Sequence, residues 1–303
     1  PTAAATWAYE SMSDRIHLLV SPEAGRGRAD GAHAAVIATL RGEGVEPVDL
    51  TGADAAASLA AARAAVDEGV ERILVVGGDG LVQLALQAVA TTDTVLGVVP
   101  VGTGNDFVRG LDGFATEIEP ATRAALGPPT PLDAIRSDDC WVASVATAGF
   151  SGDVNERANR LRRPKGPSRY TVATMLELPR LARRELAVII DGRRHEYRSA
   201  LVAVGNTGWF GGGMAICPDA DPTDGQLDVT VVGDVSRIEL LRFFRLVFSG
   251  SHLRHPKVTT HRGTEVRLES VGLPLWGDGE PIDVAPATLR AVPGAIRLAG
   301  LVS

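Results

Sequence analysis

Two glycine-rich turns of similar construction follow one another within residues 72–111, and they constrain the fold of this chain more than any other feature. Each turn comes directly after a short, continuous apolar run, at residues 73–76 and at residues 95–99. Unbroken apolar runs of this length are typical of strands that are buried on both faces of a parallel sheet. The pattern therefore predicts two parallel strands that each end in a glycine-rich turn.

The composition of the two turns suits phosphate. Residues 77–80 (Gly-Gly-Asp-Gly) precede apolar residues at helical spacing, so backbone N–H groups of a helix N-terminus would face a ligand there. Residues 102–106 (Gly-Thr-Gly-Asn-Asp) again offer glycines, a hydroxyl and a carboxylate. Either turn alone is equally well explained as an ordinary strand-to-helix turn, because Gly and Asp are common there for conformational reasons. Two of them in tandem favour a phosphate site.

Two competing phosphate motifs are excluded by the sequence. The chain has no Gly-Lys pair and therefore no Gly-x-x-x-x-Gly-Lys-Ser/Thr loop, and it has no Gly-x-Gly-x-x-Gly segment. A P-loop and a dinucleotide-binding fingerprint are thus not expected.

Together with later segments, the two turns resemble the nucleotide-binding signatures of the soluble diacylglycerol kinase family, which also includes the sphingosine and ceramide kinases. The resemblance covers residues 16–300, and further segments follow in the family's order at residues 131–133, 205–206, 211–214, 224–229 and 277–280. The first turn alone would not separate these lipid kinases from the related NAD kinases. One departure is Leu81, where the family usually has a threonine that contacts the nucleotide phosphates.

The resemblance implies ATP as the nucleotide and Mg²⁺ as its metal ion. Asp79 and Asp106 would hold the Mg²⁺, and Asp133 would support them through hydrogen bonds, which makes these three carboxylates part of the catalytic set. The residues implied to surround the nucleotide are Thr51, Gly77, Gly78, Asp79, Gly80, Gly102, Thr103, Gly104 and Asn105.

Two further roles come from the same resemblance. Glu280 takes the position of the catalytic base, whereas the local residues alone would favour a plain hairpin turn followed by a strand. A second, structural cation site would use the Asp224 carboxylate with the main-chain carbonyls of Asp221 and Gln226. Oxygen ligands suit a hard cation there, and a plain β-turn is the alternative.

The chain is expected to form two domains. Strands alternate with helical stretches up to about residue 111, which predicts a three-layer α/β nucleotide-binding domain over residues 14–135. Beyond that boundary shorter strand-like runs appear, as at residues 141–147, 186–190, 198–204, 227–232, 264–268 and 289–299. They predict a second, mainly antiparallel domain. The resemblance implies that it is a β-sandwich-like lipid-substrate domain, which we assign to residues 136–289. The resemblance implies that residues 290–303 return to the first domain.

Charge and composition narrow the classes of partner. Residues 1–135 carry 8 basic and 18 acidic side chains, whereas the remainder carries 22 and 19, so the net charges are −10 and +3. An acidic first part argues against nucleic acid as a partner. The two cysteines provide no disulfide framework, and no apolar run approaches the ~20 residues of a membrane span. We expect a cytoplasmic protein that is peripheral at the membrane. A homodimer is a possible assembly.

Two segments of the second part are candidates for contact with a membrane. Arginines and a lysine cluster over residues 157–184, and residues 240–248 interleave Arg with bulky apolar side chains. A solvated charged face and an ordinary core helix are the alternatives. His252, His255 and His261 lie close in sequence, and a basic surface loop explains them better than a metal site does.

These observations predict an ATP- and Mg²⁺-dependent lipid kinase that phosphorylates a hydroxyl of a membrane lipid, with diacylglycerol as the first candidate. Sphingoid bases, ceramide and other lipids stay open as substrates. A kinase for a soluble metabolite, such as NAD, is one alternative. A weakly active relative that binds nucleotide or lipid as a regulator is another, and Leu81 is the residue that favours it.

Overall fold

The first half of the chain forms a parallel sheet. The computed structural model describes residues 15–21, 28–161 and 168–301, so the outer bounds predicted at residues 14 and 303 lie outside the described part. The sheet has the order β2-β1-β3-β4, with β1 (Arg15–Val20), β2 (Glu46–Asp49), β3 (Arg72–Gly77) and β4 (Val95–Pro100). Every residue of β3 and β4 is buried, as expected for strands that are covered on both faces.

Helices cover this sheet on both sides. They are α1 (Arg28–Gly42), α2 (Ala55–Asp67), α3 (Asp79–Val89), α4 (Asp106–Arg109) and α5 (Ile118–Ala124). Val36 and Leu40 of α1 and Ala121 of α5 pack on one face of the strands. Residues of α2, α3 and α4, including Ala62 and Phe107, pack on the other face. The predicted three-layer α/β domain is therefore confirmed.

The second half is rich in short strands. They are β5 (Thr130–Arg136), β6 (Trp141–Val142), β7 (Val145–Gly149), β8 (Arg184–Ile190), β9 (Arg193–Ser199), β10 (Leu201–Gly205), β11 (Trp209–Phe210), β12 (Met214–Ala215), β13 (Leu227–Val232), β14 (Val258–Gly263), β15 (Glu265–Glu269), β16 (Pro274–Gly277), β17 (Glu280–Val284) and β18 (Ala287–Ala299). Three helices accompany them: α6 (Phe150–Arg160), α7 (Ser168–Glu177) and α8 (Arg237–Leu246). In the described ranges no helix has the length and apolar character needed to cross a membrane.

The long strand β18 joins the two halves. Its first residues pair antiparallel with β15, and its last residues, Leu298 and Ala299, pair parallel with β4 of the first sheet. The first sheet thereby continues through β18, β15, β8 and β9 into the second half. The strands β14, β13, β10, β7, β16 and β17 form a separate antiparallel sheet in that order.

These two sheets pack face to face. Alternate residues of the six-stranded sheet, such as Val202 and Val204, meet Val188, Val266 and Leu289 of the ten-stranded sheet in one apolar core. The intervening residues point to the opposite face, where α6, α7 and α8 cover them with a second core. The predicted β-sandwich-like second domain is confirmed, and its outer layer of helices was not predicted.

Two predicted strands are each divided in the structure. The run at residues 141–147 becomes β6 and β7, because the carboxylate of Asp278 accepts the backbone N–H groups of Ala143 and Ser144. The run at residues 198–204 becomes the end of β9 and all of β10, because the chain crosses at Ala200 from the ten-stranded sheet to the six-stranded sheet. Both divisions depend on residues distant in sequence.

His252 is a buried part of the helical layer and does not lie in a surface loop, so that expectation was wrong for this residue. Its side chain has no solvent exposure, its Nε2 atom lies 3.0 Å from the carbonyl oxygen of Ile216, and its ring meets Phe243 edge-on. Burial lowers the pKa of His252 because the charged imidazolium loses its hydration. The folded protein therefore holds this imidazole neutral.

We predict that His252 contributes to a loss of stability in acid. Below the ordinary histidine pKa of about 6.5 the unfolded chain binds a proton that the folded chain resists, so the free energy of unfolding falls as the pH drops. Urea unfolding of the wild type and of His252→Gln at pH 7.5 and pH 5.5 measures this effect. The glutamine amide still donates to a carbonyl without titrating, so the variant should lose less stability between the two pH values. An equal loss in both proteins would contradict the prediction.

The two glycine-rich turns touch at the carboxyl edge of the parallel sheet. A Cβ atom placed on Gly102 would lie 2.5 Å from the Cα atom of Gly78 and 2.7 Å from the Oδ1 atom of Asn105. A Cβ atom on Gly78 would in turn lie 3.0 Å from the Cα atom of Gly102. Only glycine allows the two backbones to approach this closely.

We expect Gly102→Ala to force the turns apart and to lower the free energy of unfolding by about 1–3 kcal/mol, the usual range for overpacking. Gly80→Ala is the matched control, since a Cβ atom there has open space within 4 Å and lies in helix α3. Alanine favours a helix by up to ~1 kcal/mol over glycine, so this variant should unfold at the wild-type point or slightly later. A Gly102→Ala protein as stable as the wild type would show that the turns are not tightly packed.

Candidate active site

Asp79 and Asp106 meet at the tips of the two turns. The Oδ1 atom of Asp79 accepts the backbone N–H of Phe107 at 3.1 Å. The carboxylate of Asp106 accepts two backbone N–H groups from the second domain, those of Gly212 at 2.7 Å and Gly213 at 2.8 Å. A Cβ atom on Gly104 would lie 2.9 Å from Asp79 Oδ2 and 3.6 Å from Asp106 Oδ2. Both carboxylates therefore converge on the backbone of the second turn.

These two carboxyl groups share a partly dehydrated environment. Burial raises the pKa of Asp79, although four backbone hydrogen-bond donors oppose the shift. Burial and the negative charge of Asp79 together raise the pKa of Asp106 to about 6, although its hydrogen bonds with Gly212 and Gly213 oppose the shift. Burial thus disfavours the charged form of both acids, and a bound cation would offset that cost.

Three other residues predicted to surround the nucleotide are Asn105, Thr103 and Thr51. Asn105 lies in the left-handed region with φ 50°, and its Nδ2 atom donates to the carbonyl oxygen of Gly102 at 3.0 Å. Its Oδ1 atom is buried and has no hydrogen-bond partner in the described part of the chain. Thr103 at the tip of the turn is exposed. The hydroxyl of Thr51 accepts the backbone N–H of Val20 at 2.9 Å, beside the end of β1.

Leu81 has a packing role at this position. A Cβ atom on Gly77 would lie 2.8 Å from the Cδ2 atom of Leu81, and the side chain of Leu81 packs against the apolar core of the first domain. Leu81, which stands where the family usually has threonine, thus packs against the backbone of the first turn at Gly77.

Glu280 is the first residue of β17, and the residue as a whole is exposed. Partial burial of its carboxyl group nevertheless raises its pKa. The hydroxyl of Tyr170, on α7, lies 3.9 Å from the place that a Cβ atom on Gly279 would occupy. Burial is the main reason why the pKa of Tyr170 is raised, and the charges of Glu280, Asp106 and Asp79 raise it further. Tyr170 is thus close to carboxylates from both domains.

The turn that presents Glu280 is held by Asp278. This residue has φ 51°, and its carboxylate accepts the backbone N–H groups of Ala143 at 2.7 Å, Ser144 at 3.0 Å and Val145 at 3.3 Å. Burial raises the pKa of Asp278 to about 6, and the charge of Asp79 also raises it. Asp278 belongs to the segment at residues 277–280 that resembles the kinase family, but these contacts were not predicted, because their partners lie at least 133 residues earlier in the chain.

Asp133 and Asn206 connect the two domains beside this site. The carboxylate of Asp133 accepts backbone N–H groups of Gly225 at 2.7 Å and Gly294 at 2.9 Å. The amide of the fully buried Asn206 donates to the carbonyl oxygens of Asp133 and Ala143, both at 2.9 Å. The structure thus places Asp133 at the domain junction, where its carboxylate contacts backbone groups of the second half of the chain.

Arg109 is a cation at the site that sequence reasoning missed. Its Nη2 atom donates to the carbonyl oxygen of Gly104 at 3.1 Å, and its guanidinium lies 5.7 Å from the ring centre of Trp209. Its Nε atom is 3.9 Å from Asp106 Oδ1. The spacing Asp106 to Arg109 on a short helix is the sequence signal that would have indicated it.

The predicted second cation site contains an arginine. Arg262 forms an ion pair with the carboxylate of Asp224 and donates from Nε to Asp228 at 3.1 Å. Asp224 also accepts the backbone N–H of Gln226 at 2.9 Å, and Asp221 accepts from the backbone N–H of Thr223. A cation at Asp221, Asp224 and Gln226 would have to displace this guanidinium. Within residues 15–21, 28–161 and 168–301, no three acidic, His or Cys side chains are grouped as a metal site.

Comparison with known proteins agrees with this architecture. Residues 15–136 match the family described as the diacylglycerol kinase catalytic domain, and residues 144–300 match the YegS C-terminal NAD kinase beta sandwich-like domain. A diacylglycerol kinase of Mycobacterium tuberculosis is 38% identical over 292 residues, which cover 94% of this chain and 94% of the relative.

Solved structures share the fold. A crystal structure of a diacylglycerol kinase from Bacillus anthracis aligns with a TM-score of 0.75 and 21% identity, over 95% of this chain and 97% of that chain. An NAD kinase from Archaeoglobus fulgidus in complex with ATP aligns with a TM-score of 0.53 and 14% identity, over 95% and 93% of the two chains. The matches of family and relative confirm the predicted resemblance, and the protein, a kinase, belongs to the diacylglycerol kinase family.

Proposed function

We propose that this kinase transfers the terminal phosphoryl group of ATP to a hydroxyl of a membrane lipid, with diacylglycerol as the substrate and phosphatidic acid as the product. The observation that carries the proposal is the meeting of Asp79 and Asp106 at the tips of the two glycine-rich turns, where Asp106 also binds the backbone of Gly212 and Gly213 from the second half of the chain. Residues 14–135 bind the nucleotide in this proposal, and residues 136–289 bind the lipid.

The two turns supply the nucleotide site. The first helical N–H groups of α3 follow Gly78, where the helix dipole favours phosphate oxygens. Gly80 leaves open space above this N-terminus, and the close packing of Gly78 on Gly102 brings the second turn alongside. The positively charged Arg109 flanks the same edge. Together these groups provide donors and a cation for a polyphosphate.

The carboxylates at the turns fit Mg²⁺. This ion typically takes one or two protein carboxylates and completes its oxygen ligands with substrate phosphates and water. Asp79 and Asp106 are two such groups, and burial, the main cause of their raised pKa values, disfavours the charged form of both. When bound, Mg²⁺ would neutralise charge on the phosphate oxygens during transfer.

Glu280 acts as the general base in this proposal. Its raised pKa makes its carboxylate a better proton acceptor, and Asp278 fixes the turn from which it projects. The nearby hydroxyl of Tyr170 would orient the acceptor hydroxyl by a hydrogen bond. The proton of the lipid hydroxyl then passes to the Glu280 carboxylate as the oxygen attacks the terminal phosphorus, the bond from that phosphorus to the bridging oxygen breaks, and ADP leaves.

A kinase for a soluble nucleotide is the second candidate, because the NAD kinase fold covers almost the whole chain. A third is a weakly active binding protein, favoured by Leu81 in place of a phosphate-contacting threonine. Incubation with labelled ATP and Mg²⁺ against diacylglycerol, ceramide and sphingosine in mixed micelles, with NAD as the soluble acceptor, separates the three. Label in phosphatidic acid supports the proposal, label in NADP supports the second candidate, and no transfer to any acceptor supports the third.

Asp79→Asn should reduce phosphoryl transfer by about 10²–10³-fold, the usual effect of removing one electrostatic contact to the reacting groups. The asparagine Oδ1 atom can still accept the N–H of Phe107, and the variant removes a charge that burial disfavours. Its melting temperature should therefore equal or exceed that of the wild type. Wild-type turnover in this variant would remove Asp79 from the active site.

Glu280→Gln should lower kcat by about 10²–10⁴-fold with little change in the affinity for ATP, since the amide keeps the shape but cannot accept a proton. Glu117→Gln is a matched control, because Glu117 is exposed and makes no capping hydrogen bond to α5. Steady-state kinetics of both variants provide the test. A Glu280→Gln enzyme that melts early but retains its kcat would show that Glu280 is only a turn residue.

A further inference from the structure

The arginines predicted to face a membrane are mostly neutralised by nearby acids. Arg162, Arg163 and Lys165 lie outside the described residues. Five described arginines of this segment form ion pairs: Arg157 and Arg180 with Glu177, Arg160 with Glu156, Arg183 with Asp234, and Arg184 with Asp153. Each of these pairs would have to be broken before its arginine could bind an anionic surface, so these five arginines are weak candidates for docking.

Helix α8 has a different outer surface. Its buried side is anchored by Leu240 and Phe243, which pack over the six-stranded sheet. On its exposed side Ile238 is 67% exposed and Leu241 is 43% exposed, and Phe248 in the following turn is 47% exposed. These apolar side chains recur at spacings of three and seven residues, so they line one side of the helix and its continuation.

Three arginines accompany this apolar stripe. Arg237, Arg242 and Arg245 are exposed, and none of them forms an ion pair with another residue in the described part of the chain. The single acid of α8, Glu239, is held by the N-terminal capping box and by Lys257. The outer face of α8 therefore combines free positive charge with apolar side chains and lacks a free negative charge of its own.

We propose that the outer face of α8, from Arg237 to Phe248, is the surface on which this protein docks on an anionic lipid bilayer. Apolar side chains would enter the boundary between head groups and acyl chains, and the arginines would contact lipid phosphates. The proposal rests on the proposed lipid kinase function for its choice of a bilayer as the partner. The charge of the face selects anionic lipid.

The position of α8 suits delivery of a lipid to the cleft. Residues 247–249, which continue α8, contact strand β12 (Met214–Ala215). The segment just before β12 contains Gly212 and Gly213, whose N–H groups bind Asp106. Helix α7 belongs to the same outer layer and carries Tyr170 into the cleft. A bilayer against α8 would therefore lie beside the rim of the active site.

Vesicle binding of the full chain tests the proposal without any enzymatic turnover. We would measure how much protein sediments with vesicles of phosphatidylcholine alone and with vesicles that also contain about 30% phosphatidylglycerol. The second kind of vesicle has a strongly anionic surface. One basic residue near such a surface gives about a 5-fold gain in partitioning, and salt screens this gain over ~10 Å at 0.1 M. Binding should require the anionic lipid and weaken as salt rises.

Arg242→Glu/Arg245→Glu should weaken this binding by about 10-fold or more, and Ile238→Ser/Leu241→Ser should weaken it by about 10-fold even at high salt. Arg160→Glu/Arg180→Glu is the charge-matched control from the ion-paired segment and should change binding by less than about 3-fold. Should the reversed pair fail to fold, Arg242→Gln/Arg245→Gln tests the same charges with a smaller change.

Phosphorylation of a short-chain, water-soluble diacylglycerol should be unchanged in the α8 variants, which separates docking from catalysis. If neither the wild type nor any variant phosphorylates a lipid, the proposed lipid kinase function fails. The vesicle measurement still decides the docking proposal in that case. Equal binding by the wild type and the α8 variants would overturn the docking proposal. Binding that does not depend on lipid charge would also overturn it. The same holds if the α8 variants change their oligomeric state but bind vesicles as the wild type does.

Discussion

The architecture depends on buried polar side chains that hold backbone groups of distant segments. The carboxylate of Asp133 binds amides of Gly225 and Gly294, and the amide of Asn206 bridges the carbonyls of Asp133 and Ala143. A buried polar group that loses its partner costs about 1–3 kcal/mol, so each contact is strongly directional. Together they fix the position of the second half of the chain against the first.

Contacts between the two halves of the chain also determine the chemistry of the candidate active site. Asp106 belongs to the first domain but binds amides of the second, and Asp278 belongs to the second domain but is influenced by the charge of Asp79. Acids that would repel each other are kept close by donated backbone hydrogen bonds. Without a cation the charged form of these carboxylates is unfavourable. A cation that arrives with a nucleotide phosphate would stabilise the charged form, so the site favours such a ligand.

Much of the fold was predictable from local pattern. The apolar runs before both turns predicted the two parallel strands, whereas the close approach of Gly78 to Gly102 was not predicted. The contacts of Asp278 and Tyr170, and the contact of Arg109 with Trp209, were not predictable, because the partners are distant in sequence. The same limit applies to the arginines of residues 157–184, whose neutralisation depends on acids such as Asp234 that pack beside them only in the folded chain.

A crystal structure of the protein with Mg²⁺ and a non-hydrolysable ATP analogue would show whether a nucleotide on the glycine-rich turns faces Glu280. We expect phosphates on residues 77–80 and 102–105, a metal ion held directly or through water by Asp79 and Asp106, and a terminal phosphate that faces Glu280. A nucleotide bound elsewhere, or a terminal phosphate directed away from Glu280, would refute this arrangement.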